Sequence, residues 1–242
     1  MLDRLSQLKT PHIAKLLGAY EVPSGPESYD YFLMFECADS TLLAIWEKEP
    51  KDWEPSSPSK TIAKWVASQA YGLTKALKQL HNFETYRSED DTDNKTHGIH
   101  GDLKPDNILH YKNWREVSED IGVLQITDFG LSSFHQTQSA EDIVLLRGTN
   151  AYRPPEAAIL SPLSASFDTW SLGCLFLEFL TWLVRGPEGL KLFKEKRLGS
   201  PGFTSSHPCF WEVNEADECT IVSLSSVVRE VSPIIPFKLH LS

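Results

Sequence analysis

Four polar side chains crowd into six residues of the stretch HGIHGDLKPDNILHY, which spans residues 97–111. They are Asp102, Lys104, Asp106 and Asn107, and an apolar, strand-like segment follows them at once. Burying such groups without partners or a ligand costs several kcal/mol, so packing alone does not explain the arrangement. The stretch is therefore the first candidate for a site that does chemistry.

A second acidic motif, ITDFGLS, places Asp128 at the end of a β-branched strand, where the chain turns on a Phe-Gly pair. If Asn107 and Asp128 stand at the ends of adjacent strands, they could chelate a hard divalent cation. Mg²⁺ prefers one or two carboxylates together with phosphate oxygens. Lys104 would then supply positive charge to a transferring phosphoryl group, and Asp102 could accept the proton of an attacking hydroxyl.

These residues also have purely structural interpretations. An acid followed five residues later by an amide is also typical of a tight Asx-rich turn. His97 and His100 have an HxxH spacing, but no further metal ligand is near them in the sequence. That lack of ligands favours a structural role for His97.

Hydrophobic patterning predicts the elements that must position these residues. Residues 14–21 and 29–38 are typical of two strands of a hairpin joined by the turn sequence VPSGPES. Residues 39–50 predict a short helix, and residues 60–83 predict a long amphipathic helix. The apolar face of the long helix comprises Ile62, Trp65, Val66, Ala70, Leu73, Leu77 and Leu80.

The second half of the chain predicts short strands and a buried helix. Strands are expected at Asn107–His110 and Val123–Thr127, on either side of a polar hairpin tip. The apolar run Thr169–Val184 contains Glu178 and is short for a membrane span, so it predicts a buried helix. From Arg185 onwards the periodicity is weak.

Composition narrows the classes of partner. The 242 residues carry 33 acids against 23 bases, and a net charge of −10 argues against nucleic acid or an anionic membrane as the main partner. The four cysteines form no CxxC pair, which favours free thiols in a reducing compartment. The first residues show no signal-peptide pattern. We expect a soluble, intracellular protein, cytoplasmic or nuclear.

Two further motifs follow in order, RGTNAYRPPEAA from Arg147 and SFDTWSLGC from Ser166. With HGDLKPDN and DFG, they resemble the signature set of the eukaryotic protein-kinase family, and more weakly that of kinases from filamentous fungi. The resemblance implies an α+β, protein-kinase-like fold with a mostly helical C-lobe and a truncated antiparallel β-sheet N-lobe. Residues 1–38 would be the N-lobe remnant, and residues 39–242 the C-lobe, poorly matched after about residue 185.

The resemblance also implies a role for each polar residue of the two motifs. Asp102 would be the catalytic-loop acid, and Lys104 would contact the transferred phosphate. Asn107 would serve the catalytic loop and, with Asp128, would bind Mg²⁺. Thr149, together with a lysine two residues after the catalytic acid, resembles the Ser/Thr branch of the family and not the Tyr branch.

A nucleotide-binding hinge is implied between the two lobes. The backbone of Glu36, Cys37 and Ala38 would bind the adenine edge, with Phe35 guarding the back pocket and Leu109 packing beneath the base. A hydrophobic spine between the lobes would comprise Leu5, Leu16, His100 and Phe129, anchored by Asp168.

Three functions are compatible with the motifs. The first is transfer of the ATP γ-phosphoryl group, with Mg²⁺, to Ser/Thr hydroxyls of a protein substrate. The second is a pseudokinase-like module that binds a protein partner without catalysis. The third, a small-molecule phosphotransferase of the aminoglycoside or choline kinase kind, also uses HGD followed by Asn, but Lys104 and the DFG, PPE and DTWSLG motifs argue against it.

Several family features are missing from the sequence. It contains no GxGxxG loop, and neither the strand lysine nor its helix glutamate partner is found, so the chain looks truncated at both ends. Loss of a single preorganised donor typically costs ~10²–10³ in rate.

Gly101 stands where regulated kinases carry arginine, which predicts independence from loop phosphorylation. Glu156 has only Arg229 as a candidate ion-pair partner.

Overall fold

The computed structural model describes eleven stretches of the chain. They are residues 10–25, 28–48, 59–82, 97–113, 121–129, 133–135, 150–156, 164–198, 209–216, 219–231 and 238–241. Leu5 and Thr149 lie outside these residues.

The first sheet is the predicted antiparallel hairpin, formed by β1 (Leu16–Gly25) and β2 (Ser28–Phe35). The strands run through the sequence VPSG, which the turn was expected to occupy, and Pro23 pairs with Tyr29. A proline is tolerated here because a two-stranded sheet consists of edge strands only, so the missing N–H disrupts no inner ladder. The turn is therefore shorter than predicted.

A second, three-stranded sheet carries the chemical motifs. Its strands are β3 (Ser40–Thr41), β5 (Ile108–Tyr111) and β6 (Val123–Ile126), in the order β3-β5-β6 and all antiparallel. The strands predicted around the polar tip are confirmed to within a residue. The chain before β1 extends this sheet, because the Ala14 amide donates to the carbonyl of Ile126 at 2.8 Å.

In the residues that the structure describes, two helices precede the polar stretch. Helix α1 (Leu42–Trp46) begins at Thr41, whose hydroxyl accepts from the amide of Ala44. The next helix, α2 (Lys60–His81), begins after Ser59 and confirms the predicted amphipathic helix. One position on its face is wrong, since Ala70 is half-buried and Gln69 is buried instead.

The longest helix, α3 (Ala165–Leu198), contains the predicted buried run and continues well beyond it. Gly186 interrupts it with φ 69°, just before Pro187. Glycine reaches positive φ without a Cβ penalty and proline cannot donate the helical hydrogen bond, so the pair kinks the helix without ending it. By length and composition α3 could cross a membrane, but the same test is passed by the core helix of a soluble protein.

The remaining described elements are short. Strands β4 (His97–Ile99) and β7 (Ser133–His135) pair with each other. Strands β8 (Trp211–Ala216), β9 (Cys219–Leu224) and β10 (Lys238–Leu241) form an antiparallel sheet in the order β10-β9-β8. Helix α4 (Ser226–Val231) follows β9. Weak periodicity in the sequence did not reveal these elements.

A single apolar cluster joins the helices to the three-stranded sheet. It includes Leu73 and Leu77 of α2 and Leu175 and Phe179 of α3, with Ile126 of β6, all nearly inaccessible to solvent. Helices gathered around one small sheet, with a separate hairpin, confirm the α+β expectation. Three cysteines are free thiols, Cys37 exposed and Cys174 and Cys209 buried.

Candidate active site

The predicted catalytic residues converge between β4 and β5. Asp102 is buried and its Oδ2 lies 2.7 Å from Nζ of Lys104. The side-chain amide nitrogen of Asn107 donates to the backbone carbonyl of Asp102 at 2.9 Å and to the Asp102 carboxylate at 3.2 Å. A single 3₁₀ turn, Pro105–Asn107, brings the amide back over the acid. The stretch thus places a carboxylate, an ammonium and an amide in one cluster.

The backbone of this loop is held from α3. Asp168, in the first turn of that helix, accepts from the amides of His100 and Gly101 at 2.8 Å each and contacts Nε2 of His81 at 2.9 Å. Its side chain is 1 % exposed. Gly101 has φ 81°, a region that favours glycine. Asp168 therefore fixes the loop that carries Asp102.

His100 links the loop to the second acidic motif. Its Nδ1 accepts from the amide of Asp102 at 3.2 Å, so Nε2 carries the proton and donates to the carbonyl of Thr127 at 2.8 Å. Its ring lies 5.2 Å from that of Phe129. These two members of the expected spine are therefore in contact, whereas Leu16 is half-buried and stands outside the described core cluster that contains Phe129.

Asp128 stands beside Asn107. The amide of Thr127 donates to the Asn107 carbonyl at 3.0 Å, and the next residue, Asp128, is exposed with φ 59°. Left-handed backbone in a residue other than glycine concentrates at functional sites. Asn107 makes its two side-chain contacts through nitrogen, which leaves its Oδ1 as an acceptor. One amide oxygen and one carboxylate are a donor set that fits Mg²⁺.

A cation site made by protein side chains alone is not seen in the described part of the chain. It contains no group of three or more His, Cys, Asp or Glu residues able to hold a metal ion. His100 is committed to backbone groups, in line with the structural role expected for it. The side chain of His97 lies outside the described residues.

The expected hinge residues connect β2 to β3. Glu36 and Cys37 are exposed and Ala38 is half-buried. Within the stretches the structure describes, the amide of Ala38 donates to no group. Leu109 is half-buried on β5, the strand that pairs with β3 directly after the hinge. Phe35, the last residue of β2, is half-buried and pairs with Leu16.

Tyr111 also belongs to this site, although the sequence did not single it out. Its hydroxyl donates to the carbonyl of Glu36 at 3.0 Å. In a sequence, an aromatic residue at the end of an apolar strand is indistinguishable from ordinary core, so no pattern pointed to it. Burial is the main reason that the pKa of Tyr111 is raised.

Arg229, the one remotely plausible partner that the sequence offered for Glu156, pairs with another residue. Arg229 binds Glu212 instead, with Nη2 at 2.6 Å from Oε1, because α4 follows directly on the β8-β9 hairpin. The presence of an arginine in the sequence does not give its distance from Glu156 in the fold.

A buried ionic cluster inside α3 was also missed. Glu178 forms an ion pair with Arg197 and accepts from the hydroxyl of Tyr152 at 2.7 Å. Burial and the neighbouring carboxylate raise the pKa of Tyr152 well above its ordinary value. A glutamate within an apolar run was the available signal, because a buried carboxylate needs a partner. The cluster links residues 150–156 to both halves of the kinked helix.

Comparison with known proteins gives the family. The sequence model of the protein kinase domain matches residues 2–185. GLH-binding kinase 1 of Caenorhabditis elegans is 28% identical over 184 residues, 76% of this chain and 39% of the relative. Cyclin-dependent kinase 4 of Mus musculus is 28% identical over 178 residues, 74% of this chain and 49% of the relative. Mitogen-activated protein kinase 7 of Oryza sativa subsp. japonica is 29% identical over 181 residues, 73% of this chain and 26% of the relative.

The chain spans half or less of the length of these relatives. The family match nevertheless covers far more than half of the chain and contains the catalytic-loop and DFG motifs in order. The α+β architecture, with its antiparallel hairpin and mainly helical remainder, is the protein-kinase-like fold that the motifs implied. The chain belongs to the protein kinase family.

Proposed function

We propose that this chain is a Ser/Thr protein kinase domain that transfers the γ-phosphoryl group of ATP to a protein hydroxyl. The observation that carries the proposal is the cluster of Asp102, Lys104 and Asn107, with Asp128 placed next to it by the backbone bond from Thr127. Lys104, two residues after the acid, supports the Ser/Thr type, as it does in the sequence. The free thiols of the chain are typical of the interior of a cell, where we expect the protein to act.

The cluster assigns a role to each side chain in the transfer. A substrate hydroxyl oxygen forms a bond to the γ-phosphorus while the bond to the bridging oxygen of ADP breaks. Asp102 accepts the hydroxyl proton, since its carboxylate is held in place by Lys104 and Asn107. Lys104 offsets negative charge on the phosphoryl group.

Mg²⁺ fits the donors present, and Asn107 Oδ1 and the Asp128 carboxylate would hold it. When bound, the ion neutralises charge on the nucleotide phosphates. The adenine fits the hinge by complementary chemistry. The amide of Ala38, which donates to no described group, would donate to a ring nitrogen. The carbonyl of Glu36 would accept from the 6-amino group, and Leu109 would contact the ring face.

A second candidate is a pseudokinase-like module that binds a protein partner without catalysis. The sequence contains no GxGxxG loop, and such a loop supplies backbone donors to the phosphates in this family. The two candidates differ in whether the cluster binds Mg²⁺-ATP at all, so a binding measurement separates them.

The test is thermal unfolding of the chain with and without Mg²⁺-ATP. Binding to the folded state adds RT ln(1 + [L]/Kd), ~2.7 kcal/mol at a hundredfold excess over Kd. We expect ATP with Mg²⁺ to raise the Tm of the unaltered chain and not that of Asp128→Ala. Asp106→Ala is the matched control, since it removes an exposed carboxylate from the same loop and should keep the shift. Absence of a shift in the unaltered chain would favour the binding module.

A further inference from the structure

Three hydrogen bonds fasten the hinge to the end of β5. The Tyr111 hydroxyl donates to the carbonyl of Glu36 at 3.0 Å. The amide of Asp39 donates to the carbonyl of His110 at 3.0 Å, and its carboxylate accepts from the amide of Lys112 at 2.9 Å. The hinge is otherwise an exposed linker between two short strands, so these bonds set where its backbone groups lie.

Tyr111 alone among these groups reaches a hinge carbonyl with its side chain. It is 4% exposed, while Glu36 is exposed. Side chains alternate along a strand, so Tyr111 stands on the same face of β5 as Leu109. Burial, the main cause, and the nearby Glu36 raise the pKa of Tyr111, so the hydroxyl keeps its proton and donates at neutral pH.

We propose that Tyr111 is a positioning residue for the nucleotide base, acting through the carbonyl of Glu36. The inference rests on the proposed function. A backbone carbonyl has two lone pairs, so the oxygen that accepts from Tyr111 can also accept from the 6-amino group of adenine. Holding the carbonyl in one direction before the nucleotide arrives removes an ordering cost from binding, which strengthens it.

A positioning role for Tyr111 and a purely structural role predict different effects on nucleotide binding. If Tyr111 only stabilised the domain, its loss would weaken every nucleotide equally. If it acts through the Glu36 carbonyl, its loss weakens only nucleotides that donate to that carbonyl. Purine riboside triphosphate has the ribose and phosphates of ATP and lacks the 6-amino group, so it isolates the contact.

The experiment measures the Kd of ATP and of purine riboside triphosphate, each with Mg²⁺, for the unaltered chain and for Tyr111→Phe. Phenylalanine keeps the ring and removes the hydroxyl. We expect the variant to bind ATP about three- to tenfold more weakly, the effect of one net hydrogen bond, and to bind the analogue as before. Equal weakening of both, no change, or tighter ATP binding each overturns the inference.

Tyr152→Phe is the matched control. It also removes a buried hydroxyl bonded to an acceptor, Glu178 Oε2 at 2.7 Å, but away from the hinge. It should leave the ratio of the two Kd values unchanged, and a change as large as that of Tyr111→Phe would contradict the inference. Should Tyr111→Phe fail to fold, Tyr111→Met provides a second side chain without a hydroxyl.

The two proposals fail in different ways. If the unaltered chain binds neither nucleotide, the proposed function is overturned and this inference with it. If it binds ATP and Tyr111→Phe leaves the ratio of the two Kd values unchanged, the inference fails alone.

Discussion

At the scale of single residues, two buried aspartates serve different ends. Asp168 accepts three hydrogen bonds, two of them from backbone amides of the loop it anchors. Asp102 is bound by Lys104 and Asn107, the side chains for which we propose roles in phosphoryl transfer. The same residue type is thus structural in one place and a candidate proton acceptor in the other.

Asp168→Ala should lower the free energy of unfolding by about 3–5 kcal/mol, because buried donors left without an acceptor cost roughly 1–3 kcal/mol each. Asp102→Ala should cost less, about 1–2 kcal/mol, since Lys104 can turn its ammonium group to water. Urea unfolding of both variants measures the difference. Asp168→Asn keeps one acceptor oxygen and should fall in between. Equal losses for the two alanine variants would refute this division of roles.

At the scale of elements, close packing reverses the usual effect of replacing a helical glycine. A β-carbon at Gly72 of α2 would overlap the ring of His12. That ring cannot move freely, because its Nδ1 donates to the carbonyl of Leu124 at 2.8 Å. A β-carbon at Gly173 of α3 would meet no atom of the described residues within 4 Å. The two glycines therefore differ in their surroundings and not in their helical setting.

Gly173→Ala should raise the free energy of unfolding by about 0.5–1 kcal/mol, the usual gain in helix propensity. Gly72→Ala should lower it by about 1–3 kcal/mol, the usual cost of overpacking. Chemical denaturation gives both values. In a double-mutant cycle, His12→Ala should remove most of the penalty at Gly72. A stabilising Gly72→Ala would show that the segment before β1 does not pack there in solution.

The sequence predicted those elements in which the pattern of apolar and polar residues shows which side chains are buried. The apolar face of α2 and the two strands around the polar tip followed from periodicity. Gln69 was missed because its burial depends on a hydrogen bond that the backbone amide of Leu124, 55 residues away, donates to its Oε1. The extension of α3 was missed because Gly186-Pro187 is the usual signal for a helix end, and here it marks a kink.

The residues of the candidate site likewise fall into those that the sequence identifies and those that only the fold identifies. Asp102, Lys104, Asn107 and Asp128 could be found from motifs, because phosphoryl chemistry needs those side-chain types at fixed spacing. Tyr111 could not be found, since its role depends on which carbonyl its hydroxyl reaches. That contact is set by the pairing of β5 with β3, and no local pattern records it.

At the scale of the whole molecule, the β1-β2 hairpin presents apolar side chains on both faces. Tyr20 and Phe32 stack on one face with ring centroids 5.0 Å apart, while Tyr31 and Leu33 are exposed on the other. Contiguous exposed apolar surface of this kind promotes association. The net charge of −10 opposes it by repulsion between molecules. The balance between these two forces depends on salt.

We expect this chain to associate more at high than at low ionic strength, because the screening length falls from about 10 Å at 0.1 M salt to about 3 Å at 1 M. Tyr20→Lys combined with Phe32→Glu should raise the concentration at which association begins by about tenfold. The two substitutions replace the stacked rings by a cross-strand ion pair that keeps β1 and β2 together. Light scattering against protein concentration, at both salt levels, measures the effect.

The control is Leu180→Lys combined with Val184→Glu, which changes two exposed apolar residues of α3 and likewise leaves the net charge unaltered. It should leave association as in the unaltered chain, since it changes no residue of the hairpin strands. If both double variants suppress association equally, the attraction is spread over the molecule. If neither does, the hairpin faces are not the contact, and the salt dependence must come from charge alone.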